Sequence, residues 1–336
     1  MIFPILSGLQ GLLRAPITWV LFFINLFVFT STFYDSEKSQ SALEDYMHDK
    51  TFSEVEGVVF AQYIESHAER YPASFVKLAT QARGPSQADR RQLLGSLSMR
   101  DSHFLQDAET LSTQLDDIIH TWWLKKFNEL KEVRASHPSY GLGLTLAQQD
   151  SNSLLTYQFS HSGFSHFIGN MLFFLIFAAA LETMIGGLAL LVLYLSCGVI
   201  AAMFFLATSD ASAVPLIGAS GAISGLMAFF SVLLWTKNVR YAYFLFLPRR
   251  EFVGIINLPA WITLVLWVLS DLAGQWATPS ELGGVAYSAH LGGELAGVVA
   301  ALSFILIRKI RNVPLPDASL TMATAAETRH SVLIGQ

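Results

Sequence analysis

Ile217-Gly218-Ala219-Ser220-Gly221-Ala222-Ile223-Ser224-Gly225 opens an apolar run that continues to Trp235. The run is long enough to cross a bilayer, which takes about 20 predominantly apolar residues. A serine set between small residues at the mouth of such a helix has two readings. It can be a satisfied helix serine in a glycine packing seam, or it can be a hydroxyl held where a second helix comes close. The second reading needs a histidine at the same depth on another span. His290, in Ala289-His290-Leu291-Gly292-Gly293, is the candidate.

The rest of the chain is built on a similar pattern. Its 336 residues are 52% hydrophobic and 14% charged, with a mean hydropathy of +0.44. A soluble domain carries about 25% charged residues. Six spans are expected, at roughly 15–33, 165–181, 187–207, 217–235, 253–272 and 287–307. The net charge of -5 says little about partners, and no nucleic acid is expected among them. The single cysteine, Cys197, lies inside a span and excludes an intramolecular disulfide and a cysteine-rich metal site.

Lys237, Arg240, Arg249 and Arg250 crowd the 236–252 connection, Arg308, Lys309 and Arg311 follow the last span, and Arg14 precedes the first. The connections near 208–216 and 273–286 have no Lys or Arg. The positive-inside rule then puts both termini in the cytoplasm. Thr30-Ser31-Thr32-Phe33-Tyr34 lacks an Ala-x-Ala-like site, so the first run reads as an uncleaved anchor rather than a signal peptide.

Four parts are expected: residues 1–34 with the first span, an extracytoplasmic helical insertion over 35–150, a five-span core over 151–310, and a cytoplasmic tail over 311–336. In the insertion, Phe52, Val55, Val59 and Tyr63 share one helix face. Leu115, Ile118, Ile119, Trp122, Trp123, Phe127 and Leu130 form a longer stripe, and Gly84-Pro85-Ser86 reads as a break between helices. Such stripes suit a small domain packing on itself. They also suit one that dips Trp122 and Trp123 into the membrane interface or recruits substrates.

With this topology, Ser220, His290, His166 and Asn170 all fall near the outer starts of descending helices. A histidine can activate a serine hydroxyl as a nucleophile. Ala289, Gly293 and Gly297 on one span, and Gly221 and Gly225 on another, recur at i+4 and allow close approach. His166 and Asn170, one turn apart, can donate to an oxyanion, as can the Ser220 N–H at a helix N-terminus. An interhelical clasp is the plainer reading of that pair. His161 and His166, five apart, do not share a helix face, so no metal is expected. There is no His-Glu-x-x-His run, and Asp210 and Asp271 do not form an intramembrane aspartyl pair. Glu294, a turn below His290, either orients that imidazole or is protonated and hydrogen-bonded to a neighbouring helix, the second being favoured.

His161-x4-His166-x3-Asn170, Gly218-Ala219-Ser220-Gly221 and Ala289-His290-Leu291-Gly292-Gly293 with Gly297 occur in that order on the second, fourth and sixth spans. In these motifs the chain resembles the rhomboid intramembrane serine proteases in their six-span bacterial form, over about 151–310. The resemblance implies an all-α, six-helix membrane bundle with Ser220 as nucleophile and His290 as base, a dyad without an aspartate. It further implies an oxyanion hole of His166, Asn170 and the Ser220 amide, with Gly218, Gly221, Gly293 and Gly297 shaping the site. Substrates would be single-span transmembrane proteins in the bilayer, admitted past the fifth span and hydrolysed without a cofactor. The bacterial inner membrane is the expected location.

The sequence departs from the family pattern in places. Ser224 stands where many bacterial members carry an aromatic, and Met184 where an arginine is frequent. A Trp-Arg pair common in the first outer loop is missing, and the resemblance leaves the insertion unexplained. The opposing reading is an inactive rhomboid-like protein that binds membrane clients, which loss of the serine or histidine would signal. A transporter would want internal repeats and broken helices; no repeat is visible.

Overall fold

The computed structural model describes residues 2–4, 12–84, 86–111, 115–145, 151–208, 214–244, 253–277 and 285–316. Asp210, Arg249, Arg250, Pro85 of the expected helix break, and the tail beyond 316 lie outside the described residues.

The chain is an integral, multi-pass, all-α membrane protein. Its described elements are strand β1 (Ile2–Pro4) and helices α1 (Pro16–His48), α2 (Lys50–Ser66), α3 (Ala73–Ala82), α4 (Ala88–Ser98), α5 (Asp117–Ser136), α6 (Phe164–Ile185), α7 (Gly187–Thr208) and α8 (Ser220–Leu233). Strands β2 (Asn238–Phe244) and β3 (Val253–Pro259) and helices α9 (Ala260–Ala277) and α10 (Tyr287–Ile310) follow, with several short helical turns between the longer elements. Five helices, α1, α6, α7, α9 and α10, are long and apolar enough to cross a membrane. Their outward residues, among them Leu188, Val192, Leu269, Val299 and Leu302, are large, apolar and exposed, a surface suited to lipid.

Helix α8 is different. It has 14 residues, about 21 Å against a hydrocarbon core of about 30 Å. Every residue from Gly221 to Leu233 is buried. A helix apolar on all sides belongs at the centre of a bundle, and α8 is ringed by α6, α7, α9 and α10. The expected fourth span is thus a shorter helix than 217–235, enclosed by protein on all sides, and it still carries the chain from one end of the bundle to the other.

The fifth span also needs correction. Residues 253–259 are not helical: they form β3, antiparallel to β2, which pairs in turn with β1. The run Val253-Gly254-Ile255-Ile256 is apolar, with β-branched residues at 253, 255 and 256, and a short apolar run does not by itself distinguish strand from helix. Pro259 closes the strand, and α9 begins at Ala260. This small sheet sits at the end of α8 away from Ser220.

The first helix is anchored by a carboxylate. Glu182, near the end of α6, accepts from Ile17 N (2.9 Å), Thr18 N (2.7 Å) and Thr18 Oγ1 (2.7 Å). The first N–H groups of a helix have no intrahelical acceptor, and Glu182, itself buried, supplies one for α1. Glu182→Ala would leave these donors orphaned, at a cost of roughly 3 kcal/mol. Denaturant unfolding of the detergent-solubilised protein should show that loss, with Glu182→Gln intermediate; an unchanged midpoint would refute the anchoring role.

Helix α1 has 33 residues, about 50 Å, and runs without a break through position 34 into the insertion. There α2 to α5 close on a core of their own, with Phe52, Val59, Tyr63, Leu94, Phe104, Trp123, Phe127 and Leu130 buried. Trp123 is fully buried and donates to Glu56 (2.5 Å), so it does not dip into a membrane interface. The stripe expected on α5 is narrower than its sequence suggests: Ile118 and Ile119 in the first turn are exposed.

Glu56 is completely buried on α2. Desolvation pushes its carboxyl up to about 7 against the donated bonds of Trp123 and Ser98. Ser98 Oγ lies 2.8 Å from Glu56 Oε1 and 2.9 Å from Gly95 O. A protonated Glu56 can donate to Ser98, which passes its own hydrogen to Gly95, while Trp123 donates to the other oxygen. A carboxyl whose folded value exceeds its unfolded value contributes stability that is lost as pH rises between the two. Unfolding monitored by tryptophan fluorescence should therefore show stability falling from about pH 4.5 to about pH 7, by at most about 3 kcal/mol. Glu56→Gln should flatten that slope; an equal slope in the variant would exclude Glu56 as its source.

Candidate active site

Three helices begin at one end of the bundle, each with a polar residue in its first turn or two. His166 and Asn170 lie at the start of α6, Ser220 is the first residue of α8, and His290 the fourth of α10. All four line a cavity of about 700 Å³, with Ser162, Ser165 and the 214–217 segment completing its inner wall. Gln40 and Leu43 from the second half of α1, and His137, Ser139 and Tyr140 from the segment just after α5, line it as well. Burial pushes the His137 imidazole below its ordinary value, and its Nδ1 accepts from Ser139 N (3.1 Å).

The approach of α8 to α10 depends on glycine. A Cβ on Gly293 would lie 2.0 Å from Gly221 O, and one on Gly297 would lie 2.1 Å from Gly225 O. Backbone therefore meets backbone along two turns, which carries the start of α10, with His290, to the start of α8. The stretch before Ser220 is held from two sides. Leu144 and Leu216 exchange both backbone hydrogen bonds (3.0 and 2.8 Å), and Gly218 N donates to Tyr157 O (2.8 Å). Tyr157 is in turn fixed by its hydroxyl on Gly198 O (2.7 Å).

Gly218 has φ +107, a conformation that side chains rarely adopt, and a Cβ there would sit 2.8 Å from His166 Cε1 and Nε2. The Nε2 edge of His166 thus lies directly against the loop that leads into Ser220. Ser162 N donates to His166 Nδ1 (3.4 Å), with Ser162 Oγ 3.1 Å away. An Nδ1 that accepts leaves the proton on Nε2, so His166 presents an N–H beside the serine loop. Asn170 Nδ2 donates one hydrogen to His166 O (2.9 Å) and has a second. The Ser220 N–H is among those a helix leaves without an intrahelical acceptor. Three donors of this kind suit an oxygen that gains negative charge.

His290 has a partner that sequence reading did not assign to it. Its Nδ1 is 3.3 Å from Asp271 Oδ1 on α9. A carboxylate at Nδ1 favours the Nδ1–H tautomer, leaving the Nε2 lone pair as the imidazole's acceptor. Glu294 reaches the same carboxylate, so its partner is on the neighbouring helix. The only sequence signal for Asp271 was an acidic residue inside an apolar run, weighed there solely as half of an aspartyl pair. His161 lies behind His166, rings 5.2 Å apart, and among the described residues no cluster could hold a metal.

A family profile described as "Rhomboid domain" matches residues 148–308, so the segment before 148 lies outside it. The chain is 30% identical over 152 residues to rhomboid protein 1, mitochondrial, of Saccharomyces cerevisiae, covering 44% of this chain and 40% of the yeast protein. It is 31% identical over 175 residues to the putative rhomboid protease YdcA of Bacillus subtilis, covering 50% of this chain and 74% of that protein.

Proposed function

We propose, from the premise that the chain belongs to the rhomboid family, that it is an intramembrane serine protease hydrolysing peptide bonds in single-span transmembrane proteins. One observation carries the reading: Ser220, His290, His166 and Asn170 face one cavity at the end of a buried helix. Ser220 Oγ attacks the scissile carbonyl carbon as its proton passes to His290 Nε2. The carbonyl π pair moves to oxygen, where His166, Asn170 and the Ser220 N–H stabilise it. Collapse of this intermediate breaks the C–N bond, and His290 returns the proton to the departing amine. Water, deprotonated by the same imidazole, then releases the acid from Ser220. Nothing in these steps calls for a cofactor.

The same proposal divides the chain at 34/35, 150/151 and 310/311, with 35–150 outside the cytoplasm and both termini inside it. The lysine and arginine distribution supports that orientation, and the resemblance of its motifs to those of bacterial members is the ground for proposing a bacterial inner membrane. The test is cleavage of a panel of tagged single-span proteins by the reconstituted chain, with the cut mapped by mass spectrometry. Cuts within or beside the apolar segment, lost in Ser220→Ala, support the protease. Clients retained intact by both forms would favour the binding protein.

A further inference from the structure

Two acidic groups lie buried beside His290. Asp271 and Glu294 are each only 4% exposed. Asp271 Oδ2 and Glu294 Oε2 are both buried without an N–H or O–H donor, yet the two carboxyl groups are hydrogen-bonding neighbours. Two ionised carboxylates at that range in a low-dielectric bundle would repel strongly, whereas one proton between them removes a charge and supplies the missing donor. The α9–α10 contact is close here: a Cβ on Gly274, one turn beyond Asp271, would fall 2.4 Å from the Tyr287 ring.

We propose that Asp271 is a positioning residue for His290, making the site a Ser220–His290–Asp271 triad in which Glu294 holds Asp271. Asp271 accepts the Nδ1–H of His290 and, still ionised, a hydrogen bond from the protonated Glu294. The imidazole is thereby kept with Nε2 toward Ser220, and the Asp271 charge stabilises the imidazolium that forms when the serine proton arrives. This rests on the Ser220–His290 reading above. It differs from a simple α9–α10 tie because it acts on the basicity of one nitrogen.

The titratable groups facing His290 are Asp271 from α9, His166 from α6, and Tyr287 and Glu294 from its own helix. From α8 comes Ser220, and α7 meets α10 through Ala201 and Phe204. Asp271 is the group among them placed to hold a carboxylate's negative charge beside Nδ1.

The test is the rate at which a fluorophosphonate labels Ser220 in the full-length reconstituted protein, followed against pH. Wild type should label with an acid limb set by His290, and Ser220→Ala should not label. Asp271→Asn should label about tenfold more slowly or worse, with the limb moved to lower pH because the imidazolium has lost its counter-charge. Labelling by Asp271→Asn at the wild-type rate with the limb unmoved overturns the triad and leaves the protease reading standing. Absent labelling of wild type, or labelling that survives Ser220→Ala, overturns both. Should Asp271→Asn fail to fold, nitrogen-15 spectra of wild-type His290 decide: an Nδ1–H tautomer supports the inference, and an Nε2–H tautomer overturns it.

Discussion

Ser220→Ala should lower cleavage of a transmembrane substrate by about four orders of magnitude or more, and His290→Ala by a similar factor. The two losses should not add, because each removes the same event, attack by an activated oxygen. A protein without Ser220 keeps the cavity and its donors, so substrate should still bind while turnover stops. Ser220 is the first residue of α8, ahead of its buried run 221–233, so the alanine variant should keep the wild-type circular dichroism spectrum and unfolding midpoint. Cleavage by Ser220→Ala at the wild-type rate would end the proposed mechanism. An inactive His290→Lys is also expected, since an ammonium has no lone pair to accept the serine proton.

The second large effect concerns stability. Gly293→Ala would place a methyl carbon 2.0 Å from Gly221 O, where an ordinary contact is about 3.5 Å. Neither partner atom is a movable side chain, so α8 and α10 must part by more than about 1 Å. The expected cost is roughly 3 kcal/mol, seen as a lower unfolding midpoint in detergent. Activity should fall further than stability alone explains, because displacement of about 1 Å between reacting groups can cost 10²-fold in rate. Gly169→Ala is the control, since a Cβ there meets nothing within 4 Å. Equal stability of the two variants would show that the glycine seam does not set the helix separation.

The reach and the limits of sequence reading are both visible in particular residues. Ser220, His290, His166 and Asn170 could be nominated because each stands near the beginning of an apolar run, where residue number maps onto depth. The glycine spacing of 221, 225, 293 and 297 was legible for the same reason: a period of four marks one helix face. Hydropathy could not tell that residues 253–259 pair as a strand, because a short apolar run suits either conformation. Nor could it tell that the 217–235 run yields a helix of only 14 residues, because burial inside a bundle and exposure to lipid select the same side chains.

From the sequence alone come the membrane class of this protein, the approximate apolar segments and the polar residues at their ends, all properties of local order and composition. Tertiary structure alone decided that Asp271 meets His290, that Glu182 caps a helix 164 residues away, and that Leu144 braces the serine loop. Those contacts join residues whose separation along the chain carries no signal. They exist because helices packed around α8 bring the residues into one low-dielectric space, where buried polar groups must find partners.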